Sequence, residues 1–244
     1  MRQGRLNTQY KFINYIMYFG GCLWQSADNG SPAREEQVQM HVAVIDIGKP
    51  GKNLGWALVG PQSVEGDDLD CCIEVLARVL EVGPLALGFE APMFVPKRDE
   101  PKRLTAARKG ECIPGHPNRP YSAGAGAAVL VTALVVIPYV LSHLRTRCPV
   151  AKATMDWRRK LSRPGELLLF EAFVTNQGKT AGTRHMEDAR LAAEAAQEGL
   201  LNLDKLCSAI DEPECLNLLG MVMIRTKWSG DVGLLDKPCL VVKA

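Results

Sequence analysis

From residue 41 onwards, short apolar runs alternate with longer stretches in which apolar residues recur every three or four positions. The short runs have the length and residue types of strands, and the longer stretches have the period of helices. The pattern predicts strands at 42–47, 54–60, 85–90 and 167–174, and helices at 67–82, 122–146 and 184–200.

The order of these segments predicts an α/β fold with a central mixed sheet flanked by helices. A short turn, Lys49–Asn53, separates the first two strands, so they should form an antiparallel hairpin. Helices separate the later strands, which are therefore expected to run parallel. The strand at 85–90 is apolar up to its last residue, as is typical of a strand buried on both faces.

The remaining segments define the predicted domain organisation. Residues 1–40 are interpreted as a poorly structured N-terminal extension, and 41–244 as a single domain. Two basic insertions interrupt it, at about 91–120 and 147–166. The tail is expected to add a helix or strand within 216–226 and a short last strand at 239–243.

Composition narrows the class of protein only modestly. The chain has 244 residues, of which 47% are hydrophobic, and a formal net charge of +2, which is ordinary for a soluble domain and selects no partner. Its eight cysteines form no CxxC pair, which argues against a zinc ribbon. Reduced thiols and a cytoplasmic location are expected.

One segment raises a membrane alternative. Residues 121–144 contain no Asp, Glu, Lys or Arg, and this length would span a bilayer. The segment begins with small, weakly apolar residues, and it contains Pro138 and His143. A helix packed on a sheet explains the pattern equally well, so the membrane reading is not favoured.

Four acids lie at unusual places. Asp46 and Glu90 lie at the ends of predicted strands, Glu171 lies inside one, and Asp188 lies early in a predicted helix. An ionised carboxylate near a core is costly unless it is paired or holds a metal. If the strands that carry Asp46 and Glu90 are parallel neighbours, both acids emerge at the same edge of the sheet, where ligands bind in open α/β folds.

His185 precedes Asp188 by three positions, which places both on one face of a helix. Carboxylates and an imidazole are suitable ligands for Mg²⁺ or Mn²⁺. Two such ions about 4 Å apart can activate a water and stabilise the leaving oxygen in phosphodiester hydrolysis. The expected metal ligands are Asp46, Glu90, Glu171 and Asp188, and the expected catalytic residues are Asp46, Glu90, Asp188 and His185.

Each of these residues also has a structural alternative. Asp46 could cap the following turn, and Glu90 could pair with a lysine. Glu171 could orient an arginine, and Asp188 could be a first-turn acid that the helix dipole favours. His185 could be a cap or a surface residue.

Basic residues cluster in both insertions, and they favour a polyanionic partner at the acidic site. Trp157 could stack on a base. The pattern does not distinguish DNA from RNA. The expected nucleic-acid-binding residues are Lys97, Arg98, Lys102, Arg103, Arg108, Lys109, Trp157, Arg158, Arg159 and Lys160, with Arg119 and Arg163 in the same clusters.

Several of these motifs resemble those of the RNase H-like superfamily. Asp46-Ile47-Gly48 followed by Gly55-Trp56-Ala57 resembles its first hairpin, in particular that of RuvC-type resolvases. Phe89-Glu90-Ala91-Pro92 resembles its central acidic strand, and His185-Met186-Glu187-Asp188 its final helix. Phe170-Glu171-Ala172 is similar to a strand in uncharacterised RNase H-like predicted nucleases. The resemblance covers about 41–200 and implies a metal-dependent endonuclease.

Two other functions stay open at this point. The chain could be a non-catalytic interaction module that retains the fold. It could also be a nucleotide-binding protein of the actin/sugar-kinase type, because Asp46-Ile47-Gly48 also resembles a phosphate-facing hairpin. That class needs a second such hairpin, which the sequence does not show. A homodimer is compatible with each of these functions.

Overall fold

The computed structural model describes residues 40–112, 120–174, 185–210 and 212–244. The predicted N-terminal extension lies outside these residues except for Met40. The described part is an α/β structure with a mixed sheet flanked by helices, as the sequence predicts.

Seven described strands form one sheet: β1 His41–Asp46, β2 Gly55–Val59, β3 Val64–Gly66, β4 Leu85–Glu90, β6 Lys152–Thr154, β7 Glu166–Phe173 and β9 Val241–Lys243. Their order is β3-β2-β1-β4-β7-β6, and β9 also pairs with β7. The first three strands are antiparallel, and β4, β6, β7 and β9 continue the sheet in parallel. The expected antiparallel hairpin and parallel later strands are therefore confirmed.

Four described helices accompany the sheet, and three of them lie close to the predicted ranges. They are α1 Leu69–Val82, α2 Gly124–Arg147, α3 His185–Leu201 and α4 Leu218–Arg225. Helices α1 and α2 pack together over one face of the sheet, and α3 packs on β1 and β2 from the other face.

The two faces of the sheet have separate cores because side chains alternate along each strand. In β1, Ala43 and Ile45 join the core under α1 and α2, whereas Val42 and Val44 join the core under α3. The α3 side of that second core is built from alanines, which allow the helix to approach the sheet closely.

The start of α1 shows why the chain becomes helical there. Asp68 is the N-cap, and its side chain accepts a hydrogen bond from the backbone N–H of Cys71 at 2.7 Å. The Asp68 carbonyl also accepts from the indole of Trp56 at 2.9 Å, which ties the helix start to β2. Gly83 and Pro84 follow the last turn and end the helix.

Helix α2 is the described helix that is long and apolar enough to cross a membrane by length and composition. Only 28% of its most apolar window is buried. Its buried side, which includes Val140, Leu141 and Leu144, faces the sheet core, while Val131 and Val135 are exposed. This combination also fits a helix that packs on a sheet through one side.

The two insertions contain short elements that the sequence pattern does not reveal. In the first insertion, β5 Phe94–Pro96 pairs antiparallel with β8 Cys215–Asn217 from the tail. A 3₁₀ turn follows at Pro101–Arg103, and the second insertion contributes β6. The tail supplies both a strand and a helix where the sequence allowed either.

A glycine in β4 tests the close packing under α3. A Cβ atom on Gly88 would lie 2.4 Å from Cζ of Phe170, whose ring covers it from β7. We expect Gly88→Ala to lower the free energy of unfolding by about 1–3 kcal/mol, because the buried ring must shift. Urea titration at constant m-value measures this change.

Gly230→Ala is the matched control, since nothing lies within 4 Å of its Cβ position. We expect this control to change stability by less than about 0.5 kcal/mol. Equal stabilities of the Gly88→Ala variant and the wild type would contradict the packing described for β4 and β7.

Candidate functional site

The last residues of β1 and β4 bring two carboxylates together. Asp46 and Glu90 are partners in the parallel register of these adjacent strands. Neighbouring strands lie about 4.8 Å apart, and parallel partners direct their side chains to the same face. That face is the α3 face, because Asp46 alternates with Val42 and Val44 of the α3 core. The sequence prediction that these acids share one sheet edge agrees with this register.

The N-terminus of α3 approaches the same edge through a glycine at the start of β2. A Cβ atom on Gly55 would lie 2.4 Å from the backbone carbon of His185 and from the backbone nitrogen of Met186. Since Gly55 pairs with Asp46 across the hairpin, this close approach sets the first turn of α3 directly over the acidic strand ends.

His185 contacts one of the two acids directly. Its Nδ1 lies 2.6 Å from Oδ2 of Asp46. An ionised carboxylate can only accept, so the ring N–H donates this hydrogen bond. The His185 side chain is 46% exposed and that of Asp46 is 12% exposed. The imidazole therefore connects a largely buried carboxylate to solvent.

Asp188 is a third acid on this face, in the first turn of α3. It is buried and lies one helical turn after His185. A carboxylate at the N-terminus of a helix is stabilised by the helix dipole. Three carboxylates and one imidazole thus come from β1, β4 and α3 on one face of the sheet.

The donor types at this site suit a hard divalent cation, but the arrangement is not that of a formed ion site. Oxygen-rich carboxylate sets are the usual ligands of Mg²⁺ and Mn²⁺. Among the residues that the structure describes, however, no three His, Cys, Asp or Glu side chains form a group that could hold a metal ion. Asp46 is instead engaged by His185.

Glu171 lies apart from these acids. Its partner in the parallel register of β4 and β7 is Phe89, the residue before Glu90. Because side chains alternate along a strand, Glu171 is directed to the face opposite Glu90. It alternates with Leu167 and Leu169, which belong to the core under α1 and α2. This placement differs from the expected fourth metal ligand, since the sheet separates Glu171 from the other acids.

Glu171 is the anchor of a buried ion-pair network. Arg108 donates to its two carboxylate oxygens at 2.7 and 2.8 Å, and the backbone N–H of Met93 donates to it at 2.8 Å. Arg108 also pairs with Glu111, and its side chain is fully buried. Arg108 is thus directed into the protein, in contrast to the predicted phosphate contact, and Glu171 follows the arginine-pairing alternative.

Electrostatics within the network favour the charged arginine. Burial lowers the pKa of the Arg108 guanidinium, but Glu171 and Glu111 more than offset this effect, so its pKa is raised overall. Burial raises the pKa of the Glu111 carboxyl, although Arg108 opposes the shift. The network ties the first insertion to the centre of the sheet.

Several other predicted nucleic-acid-binding residues already have acidic partners. Arg98 makes two hydrogen bonds with the Glu212 carboxylate, both 2.7 Å long, and these bonds lower the pKa of Glu212. Lys97 pairs with Glu214 at 3.1 Å, and Arg159 pairs with Glu166. Among the predicted basic residues that the structure describes, five are exposed and have no acidic partner seen there: Lys102, Arg103, Arg158, Lys160 and Arg163.

Three remaining candidates complete the predicted set. Lys109 is exposed, and its backbone N–H donates to Glu212 at 2.7 Å. Trp157 is half-buried, and the Arg158 guanidinium lies 4.4 Å from its ring centroid. Arg119 lies outside the described residues.

Sequence reasoning did not find the partnership of Arg108 with Glu171 and Glu111. The pair Arg108–Glu171 joins residues 63 positions apart, and nothing in the local pattern around either residue indicates the other. The only signal was that Glu171 interrupts an apolar strand, which predicts a partner without naming it.

Comparisons of this chain with models of protein families, with curated proteins and with solved structures find no match. The function is therefore inferred from the fold and the side-chain geometry.

The buried network generates a stability prediction. We expect Arg108→Ala to lower the free energy of unfolding by about 3–5 kcal/mol, because it leaves the Glu171 and Glu111 carboxylates buried without a counter-charge. Chemical denaturation measures the change.

The matched control is Arg190→Ala, which removes an exposed arginine paired with Glu194. This control should change the stability by less than about 1 kcal/mol. Similar losses in the two variants would show that the network around Arg108 does not anchor the first insertion.

Proposed function

We propose that this protein is a metal-dependent nuclease of RNase H-like architecture that hydrolyses phosphodiester bonds of nucleic acid. The observation that carries the proposal is the in-register placement of Asp46 and Glu90 on adjacent parallel strands, below the helix turn that bears His185 and Asp188. A cytoplasmic location belongs to the same proposal, on the basis of the cysteine pattern.

The fold supports the proposal at three of the four places on which the resemblance rests; the fourth, Glu171, lies on the other face of the sheet. An antiparallel hairpin begins the sheet and ends its first strand in Asp46. The neighbouring parallel strand ends in Glu90. The late helix that begins at His185 lies on the same face as both acids. These elements come from distant parts of the sequence and meet at one sheet edge.

In this proposal, each residue has a defined role. Asp46, Glu90 and Asp188 would supply carboxylate oxygens to Mg²⁺ or Mn²⁺. The bound ions would lower the pKa of a water and stabilise the leaving oxygen. His185, half-exposed and hydrogen-bonded to Asp46, orients the attacking water or holds its proton. Glu171 acts only through the scaffold, by holding Arg108.

The substrate contacts follow from the exposed positive charges. Lys102 and Arg103 in the first insertion and Arg158 and Lys160 in the second are exposed. Lysine and arginine side chains of this kind contact phosphates and position a strand without reading its sequence. Arg108 is left out of this surface because it is buried.

A second candidate function is a non-catalytic module that retains the same fold. The observation that favours it is the lack of a three-ligand group within the described ranges, together with the engagement of Asp46 by His185. Such a module would bind a partner through the same surface without cleaving it.

The test uses labelled single-stranded, duplex and branched DNA and RNA, each incubated with Mn²⁺ or with EDTA. We expect cleavage in Mn²⁺ only. Asp46→Asn should reduce its rate by at least about 100-fold, because it removes an anionic ligand while keeping the side-chain shape. The rate of product formation on a gel is the measurement.

Asp67→Asn is the matched control, since Asp67 is an exposed aspartate before α1. This variant should cleave at the wild-type rate, and both variants should melt near the wild-type temperature. Substrates that stay intact with the wild-type protein in Mn²⁺, or an Asp46→Asn variant that is fully active, would reject the nuclease and favour the non-catalytic module.

A further inference from the structure

A cavity of about 620 Å³ lies at the edge of β7, away from the acidic site. It opens where β6 and β9 both pair with the same side of β7. Strand β6 pairs with the first part of β7, and β9 pairs with its last part. Trp157 and Arg158 follow β6, Pro238 and Cys239 precede β9, and all four line the cavity.

The third wall of the cavity comes from the segment after α3. Asp204, Cys207 and Ser208 supply its polar atoms, and leucine side chains supply apolar surface. The Ser208 hydroxyl is fixed, since it donates to the carbonyl of Ile210 at 2.9 Å and accepts from the backbone N–H of Val241 at 3.0 Å. This wall is therefore tied to β9.

The chemistry of the walls suits a planar, anionic ligand. The Arg158 guanidinium lies over the Trp157 ring, and a planar base could stack on this exposed guanidinium. The exposed Arg158 guanidinium also attracts a phosphate. Asp204 is an exposed acceptor for an exocyclic amino group. A base, a phosphate and an amino group occur together in a nucleotide, and the volume lies within the usual range of ligand sites.

We propose that this cavity binds one unpaired nucleotide of a nucleic acid strand. The proposal rests on the nuclease function and adds a substrate class to it: single strands, or duplexes that carry an unpaired nucleotide. A paired base cannot enter, because its Watson–Crick edge and its stacking faces are already occupied in the duplex.

The first turn of α3 borders the acidic site, and the segment after α3 forms one wall of the cavity. The helix begins at His185, beside Asp46, and ends at Leu201, just before the cavity wall. Its 17 residues span about 25 Å at 1.5 Å per residue.

An exposed cysteine in the cavity wall makes the proposal measurable on the wild-type protein. The test compares the alkylation rates of Cys207, which lines the cavity, and Cys112, which is exposed elsewhere, by mass spectrometry in EDTA. The probes are a single-stranded oligonucleotide of about 12 nucleotides, a typical single-strand site size, its blunt duplex, and a mononucleotide mixture.

We expect the single strand to slow alkylation of Cys207 by up to about tenfold when it is present at about ten times its dissociation constant. The rate at Cys112 should not change, and the duplex should protect Cys207 far less. An unchanged alkylation rate of Cys207 at a saturating concentration of the single strand would overturn the proposal. So would protection by the mononucleotides but not by the single strand, or equal protection by the duplex and the single strand.

Variants give an independent measurement by fluorescence anisotropy. Trp157→Ala should weaken single-strand binding by at least about fivefold and Trp157→Phe by less, because the ring can still stack. Arg158→Ala should weaken binding more than Arg147→Ala, which removes an exposed charge from the end of α2. Equal affinities across these pairs would overturn the proposal.

The two proposals fail in different ways. Metal-dependent cleavage without protection of Cys207 would reject the cavity proposal and leave the nuclease intact. A wild-type protein that neither binds nor cleaves any strand would reject both proposals.

Discussion

The parallel register of β1 and β4 is the constraint on which the candidate site depends. It sets Asp46 beside Glu90 at the ends of two central strands and directs both side chains to the α3 face. Two carboxylates this close repel each other unless a positive charge or a cation lies nearby. His185 donates a hydrogen bond to Asp46, and Gly55 lets the helix that carries it come close enough.

The sheet divides the polar groups into two sets with different tasks. On the α3 face, Asp46, Glu90, Asp188 and His185 form a site with partial access to solvent. On the other face, Glu171 holds a buried arginine and with it the first insertion. The Glu171 carboxylate is tolerated inside β7 because Arg108 and the backbone N–H of Met93 satisfy its oxygens. It does not contribute to the α3-face site, because it lies on the other face of the sheet.

The sequence predicts the main strands and helices because their periodicities are long and clear, and α1, β4 and α2 begin and end close to the expected residues. The short strands β5, β6 and β8 have three residues each, which is too few for any period to appear. The sequence also does not show which face of the sheet Glu171 points to, because β7 is buried on both sides and its apolar pattern fixes no register. Asp46 and Glu90 were predictable because each directly ends its strand.

The most direct measurement of the central claim is the anomalous scattering of crystals of the wild-type protein soaked in Mn²⁺. The account predicts a difference peak between the carboxylates of Asp46 and Glu90, next to the first turn of α3, and its loss from crystals soaked in EDTA. Well-ordered strand ends without a peak in Mn²⁺, with His185 still bonded to Asp46, would contradict it.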